Sequence, residues 1–235
     1  MPEHKVVSKE EWLEARKAHL ANEKKLTCLR DALSAERREL PWVRVEKEYV
    51  FDAPGGTETL AELFDDRSQL IVQHFMFGPD WTEGCVGCSF QADHIDGATV
   101  HLAHRDVTVV VVSRAPLPRI EAFKRRMGWR FKWVSSYGSD FNYDYHVSFR
   151  KEDLAKEKVF YNYELRELQS EDLPGVSVFF RDSTGEVYHT YSSYDRGDEL
   201  LIGTYNYLDL VPKGRDETGL SPPMAWVRHH DRYQE

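Results

Sequence analysis

Apolar positions fall into clear periods along most of the chain. From Ser8 to Leu40 there is no Gly or Pro, and Ala, Leu, Glu, Lys and Arg dominate. Leu26, Leu29, Leu33 and Arg37 share one stripe, a spacing that predicts a single long helix with a narrow packing face. Ser8 and Glu11 have capping-box spacing at its start, and Pro41 stops it. Trp42 to Asp52 alternates as a strand should, and Ala53-Pro54-Gly55-Gly56 is a turn. Thr59 to Phe64 predicts a short helix. Leu70 to Phe77 is almost wholly apolar, as expected of a central strand buried on both faces. A loop with Gly78, Pro79 and Gly84 follows. One helix from about Cys85 or Cys88 to Ala103 then precedes a second apolar strand, Val107 to Ser113.

These elements form a β-α-β unit with parallel strands and a right-handed crossover. Pro116 or Pro118 opens the next helix, which ends near Gly128. Phe131 to Ser135 is a short strand. Tyr137 to Phe149 alternates polar and aromatic residues and has no firm period; it is expected to cover the sheet or, alternatively, to line a ligand groove. Val176 to Phe180 and Glu186 to Tyr191 flank Asp182-Ser183-Thr184-Gly185, a hairpin. Tyr194 to Leu208 predicts a final helix, and the segment after Pro212 an irregular tail. The sum is an α/β fold: a mixed central sheet flanked by helices, with a long N-terminal helix. The expected parts are a helical extension (1–41), a main domain (42–211) and the tail (212–235).

Composition narrows the classes. A chain of 235 residues with 12 Tyr, 12 Phe and 6 Trp can bury a real core without disulfides or metal. A net charge of −9 argues against non-specific nucleic-acid or anionic-membrane partners, which want a basic surface. No apolar run reaches the roughly 18–20 residues of a membrane span, and Met1 to Trp12 has no apolar signal core. The expectation is a cytoplasmic protein. In a reducing compartment, a closely spaced cysteine pair points to catalysis or metal binding.

That pair is Cys85-Val86-Gly87-Cys88, placed where a strand hands over to a helix. Unpaired amides and the helix dipole favour a thiolate there, so Cys85 is the expected nucleophile. Cys88, one turn on, is the expected resolving thiol. His74 interrupts the apolar strand leading to the site and is the candidate acceptor for the Cys88 proton. The competing metal reading adds His101 and His104, but a continuous helix puts them roughly 20 Å from Cys88 at 1.5 Å per residue. No metal or other cofactor is therefore expected. His94 is expected to face away from the thiols, His229-His230-Asp231 to sit in a solvated tail, and Cys28 to be an ordinary helix residue.

Four separated segments carry a family resemblance: FGPDWTEGCVGCSFQADHIDGATVHL (77–102), RDVTVVVVSRAPLPRIEAFKRRMGWRFKWVSS (105–136), SDFNYDYHVSF (139–149) and TYNYLDLVPKGRDE (204–217). Together they resemble the thioredoxin-like family known as domain of unknown function 899, often labelled predicted dithiol-disulfide oxidoreductases. The resemblance covers nearly the whole chain and implies a thioredoxin-like fold with peroxiredoxin-like extensions. By position it makes Cys85 and Cys88 the redox cysteines. Trp81 stands four residues before Cys85, where thioredoxins have a tryptophan directly before it. Ser177 aligns with their groove proline, and Pro174 falls three residues early. Trp81 and Ser177 are thus the candidate substrate-groove residues. The implied partners are a disulfide or peroxide substrate and a thiol reductant. The alternative is a binding protein of the same fold, whose cysteine pair holds a metal or whose aromatic groove holds a small ligand or partner.

Overall fold

The computed structural model describes residues 4–234; the first three positions of the expected extension and the last of the tail lie outside them. Two compact units meet at Pro41–Trp42. The first is one helix, α1 (Lys9–Arg38), started by the expected capping box: Ser8 Oγ accepts from the Glu11 amide and the Glu11 carboxylate accepts from the Ser8 amide. No residue of α1 is buried, and Leu26, Leu29 and Leu33 are exposed along it.

The second unit is built on an eight-stranded sheet. Its strands are β1 (Val43–Arg44), β2 (Val50–Ala53), β3 (Gly56–Thr59), β4 (Gln69–His74), β5 (Val107–Ser113), β6 (Lys132–Ser135), β9 (Gly175–Arg181) and β10 (Val187–Tyr194). A separate hairpin pairs β7 (Val159–Tyr161) with β8 (Glu164–Arg166). The sheet order is β1-β10-β9-β4-β5-β6-β2-β3. The pairs β4–β5 and β5–β6 are parallel, as the crossover rule requires, and β9 runs antiparallel against β4.

The helices of this unit are α2 (Val86–Ala92), α3 (Asp96–Ala103), α4 (Leu117–Arg126), α5 (Phe141–Asp144), α6 (Lys151–Leu154) and α7 (Gly203–Leu208). Several expected elements are divided. The single helix after the cysteines breaks at 93–95 into α2 and α3. The strand from Trp42 becomes β1 and β2, and the final helix becomes a 3-10 segment, Asp195–Leu201, followed by α7. Thr59 ends a strand, and the short helix after it is a 3-10 turn, Glu62–Phe64. The predicted hairpin holds: the Asp182 carboxylate accepts from the Thr184 and Glu186 amides, and Gly185 takes φ 91°.

Each sheet face carries its own core. On one, Leu70, Val72, Val110, Val112 and Phe179 meet Phe51, Phe64 and Phe141. On the other, Phe75, Phe77 and Val111 meet Cys88 and Ala92 of α2 and Ile120 and Phe123 of α4. Full burial of side chains this size contributes roughly 1.5–3 kcal/mol each. Tyr137–Phe149 thus resolves as cover: Phe141 is fully buried on the first face, and Tyr145 packs against Phe179 there.

The tail does not run free. Val227 is buried in a small cluster with Phe90, Ile202 and Tyr205, against the outer side of α2. His229 is 3 % exposed and its Nε2 donates to the Gly84 carbonyl at 3.0 Å. Arg126 on α4 clamps both partners, bonding Glu83 at 2.7 Å and Asp231 at 2.7 and 2.8 Å. The expectation of a solvated His229-His230-Asp231 is corrected by this docking.

Candidate active site

The ladder of β4 extends one residue past His74, with the Phe75 amide bonded to the Val112 carbonyl. A loop then returns the chain so that the Cys85 amide donates to the Met76 carbonyl at 2.9 Å. Gly84 is required by this path. A Cβ there would lie 2.5 Å from the Phe75 ring and 2.9 Å from Phe123, so no larger residue fits directly before the first cysteine. Arg119 holds the loop from α4 through the Pro79 and Trp81 carbonyls. Trp81 is half-buried on the same apolar cluster as Cys85, over Gly78 and beside Asp172.

Cys85 is the N-cap of α2 and is half-buried, while Cys88 is 3 % exposed. Both are free thiols. A hydrogen bond from Cys88 is the largest influence on Cys85, and the Gly87 and Cys88 amides add to it. Against the opposing effect of burial they lower the Cys85 thiol to about 7. The same bond and deep burial push Cys88 well up; the Met76 amide, 3.4 Å from its Sγ, only partly offsets this. The two thiols are therefore unequal: one is poised to ionise near neutrality, the other is held protonated.

Cys85 opens on two adjoining cavities. One, of about 980 Å³, runs between Cys85–Gly87, Tyr205 and the tail at Lys213–Val227. The other, of about 230 Å³, reaches inward past Cys88 to Met76, Gln91, Pro174 and Asp198. Pro174 is set there by a buried ion pair two residues earlier. Arg114 bonds Asp172 through Nε and Nη2 at 2.7 and 2.8 Å, and Ser148 Oγ donates to the same carboxylate at 2.6 Å.

Two expected site residues are not brought to the thiols. His74 alternates with Leu70 and Val72, and its ring packs on Phe141 and Tyr145, across the sheet from α2. Its Nε2 shares a 2.8 Å hydrogen bond with Ser177 Oγ, and burial, with His189 adding, lowers the imidazole to about 3. Ser177 is fully buried on that same face, bonded also to Ser192 at 2.8 Å. Pro174, three residues before Ser177, lines the cavity that also holds Cys85 and Cys88. The other histidines are elsewhere: His94 Nε2 accepts from the Thr204 amide at 2.8 Å, and His101 and His104 are exposed on and just after α3. Among the described residues, no group of three or more His, Cys, Asp or Glu is arranged to hold a metal ion. Cys28 is exposed on α1.

Asp198 was not singled out by sequence. It is 7 % exposed, receives a hydrogen bond from Gln91, and burial pushes its carboxyl up to about 6. Its only sequence signal is an acid inside a segment that reads as an ordinary helix.

A β-α-β unit with the cysteine pair after its first strand, followed by an antiparallel hairpin beside that strand in the order β10-β9-β4-β5, defines a thioredoxin-like fold. The chain belongs to the family described as "Bacterial protein of unknown function (DUF899)", whose model matches residues 1–233. No curated protein sequence matches it. Similar solved structures include peroxiredoxin Q of Xanthomonas campestris, 14% identical over 72% of this chain and 94% of that one, with a TM-score of 0.47. Peroxidoxin BcpB from Mycobacterium tuberculosis is 13% identical over 70% and 95%, with a TM-score of 0.45. The mitochondrial 2-cys peroxiredoxin from Plasmodium falciparum is 14% identical over 71% and 93%, with a TM-score of 0.41. Among the described residues, no helix is long and apolar enough to cross a membrane.

Proposed function

We propose that this protein is a dithiol-disulfide oxidoreductase working through Cys85 and Cys88. The observation that carries the reading is the division between the thiols: a half-exposed Cys85 lowered to about 7 beside a buried Cys88 that is pushed up. The Cys85 thiolate attacks a substrate disulfide, forming a mixed disulfide and expelling one thiolate. Cys88 then loses its proton and attacks Cys85. The Cys85–Cys88 bond forms, the mixed disulfide breaks, and the second thiolate leaves. Two electrons pass to the substrate, and an external thiol reductant restores the pair. A peroxide fits the same site: Cys85 takes one oxygen as a sulfenic acid, an alcohol leaves, and Cys88 closes the disulfide with loss of water. The cavity beside Cys85, with Pro174 at its inner part, is the substrate approach in this reading.

The test is a redox titration of the pair against glutathione or dithiothreitol, with free thiols trapped by alkylation and zinc measured with and without chelator. A reversible two-electron transition without metal is expected. Cys88→Ser is expected to accumulate mixed disulfides through Cys85, and Cys85→Ser is not. Stoichiometric zinc, or a pair that never forms a disulfide, overturns the reading.

A further inference from the structure

We propose that Asp198 is the base that removes the Cys88 proton in the resolving step, from the inner cavity that the two residues share. The proposal rests on the dithiol reading above and adds the group that reading lacks. Cys88 is buried and bonded to Cys85 and to the Met76 amide, so it becomes a nucleophile only if a neighbouring base takes its proton. His74 is across the sheet. The inner cavity brings Cys85, Cys88, Gln91 and Asp198 to one space.

Asp198 is suited to the task by its surroundings. It comes from the 3-10 segment that follows β10 and is 93 % buried by its 7 % exposure. Gln91, one turn beyond Cys88 on α2, bonds its carboxyl, and Gln91 is itself fixed by a 3.0 Å bond from Gln73 on β4. Among the described residues, Asp198 Oδ2 is buried with no hydrogen-bond partner. A buried carboxylate oxygen with nothing to accept is costly unless it has a use.

The other groups facing this space are already committed. Glu199 is paired with Arg196 and with Arg215 from the tail, and Asp195 with Arg166. Tyr161 on β7 donates to the Pro174 carbonyl and is pushed well above its ordinary value, chiefly by burial. Asp195 and Glu199 raise the proton affinity of Asp198 further. Asp198 also acts electrostatically on Cys88.

The step balances. The Cys88 S–H proton moves to the Asp198 carboxylate, directly or through one water in the cavity. The Cys88 thiolate attacks the Cys85 sulfur, the Cys85–Cys88 bond forms, and the substrate thiolate departs with the electron pair of the broken bond. Asp198 then returns its proton to solvent.

The experiment uses the full-length chain carrying Cys28→Ser, reduced and mixed with excess dithiobis-nitrobenzoate. Its coloured thiolate product is released once when Cys85 attacks and once when Cys88 resolves. A first-release rate matching that of the wild type is the internal reference for an intact Cys85 site. Asp198→Asn is expected to slow the second release about 100-fold near neutral pH, at the lower end for loss of a general base. It is also expected to abolish the acid limb of that phase, leaving a rate that rises with hydroxide. Asp198→Glu is expected to recover much of the rate and the limb. A second release in Asp198→Asn with unchanged rate and pH profile overturns the proposal. A wild-type protein that releases only one thiolate overturns the dithiol reading itself, and with it the proposal. A first-release rate altered from wild type in both Asp198→Asn and Asp198→Glu assigns the residue a structural role and overturns the proposal alone.

Discussion

Replacing Cys88 by Ala tests what holds the Cys85 thiolate. The hydrogen bond from Cys88 is the largest cause of the drop from an ordinary 9.0 to about 7, and only the Gly87 and Cys88 amides remain to oppose burial once it is gone. At pH 7 a thiol at 7 is half ionised, and one at 9 is about 1 % ionised, a ratio of roughly 50. Intrinsic nucleophilicity falls with the pKa at a Brønsted slope of about 0.5, so two units cost about 10-fold. The net advantage of Cys85 is therefore about 5-fold at pH 7 and about 10-fold at pH 5. At pH 9 the sign reverses and the higher-pKa thiol reacts about 5-fold faster. The assay is iodoacetamide alkylation of Cys85 followed by mass spectrometry across this range, in a Cys28→Ser background. Cys88→Ala is expected to shift the midpoint upward. For a complete return to the ordinary value, the two rate profiles cross near pH ~8. Superimposable midpoints in the two proteins refute the idea that the Cys88 thiol stabilises the Cys85 thiolate.

Three further outcomes are expected. Asp172→Ala leaves Arg114 buried without its bidentate partner and lowers stability by about 3–5 kcal/mol, measured by urea unfolding. Gly84→Ala drives a Cβ into the Phe75 and Phe123 rings, costing about 1–3 kcal/mol and lowering the thermal midpoint; an unchanged midpoint would show that the loop can take another path. His74 is held down from 6.5 to about 3 by burial, with His189 adding. The unfolded chain therefore binds a proton below pH 6.5 that the folded chain refuses until about 3. This contribution to stability is whole above pH 6.5 and is lost on acidification at up to about 1.4 kcal/mol per pH unit. Urea titrations of His74→Gln at several pH values are expected to give a shallower acid slope than the wild type.

The cysteine pair, its strand-to-helix junction and the downstream hairpin were legible because each is local. An apolar run, a two-residue spacing and an Asp-Ser-Thr-Gly turn carry their geometry within a few residues. The break between α2 and α3 was not legible, because no Gly or Pro marks it. It is held by side chains from distant segments: Asp93 accepts from Trp129 Nε1, and His94 accepts from the Thr204 amide. Alternation correctly grouped His74 with Leu70 and Val72. It did not say which face α2 covers, since the loop from Phe75 to Gly84 erases that information. Placing His74 beside Cys88 was thus a choice of face that the sequence could not make. Ser177 failed for a related reason. It pairs with Val72 in the β4–β9 register and so shares the face of His74, whereas Pro174 lies before the strand begins and is steered into the cavity by Asp172.

The sequence by itself determined which residues are candidates for the chemistry, because thiol spacing and strand periodicity are properties of neighbours along the chain. Tertiary structure alone decided what surrounds them. It docked His229 on Gly84, divided the thiols into one lowered and one raised, and brought Asp198 to the cavity that Cys88 also lines. Burial and electrostatics depend on groups that folding brings from far apart, so no local pattern announces them.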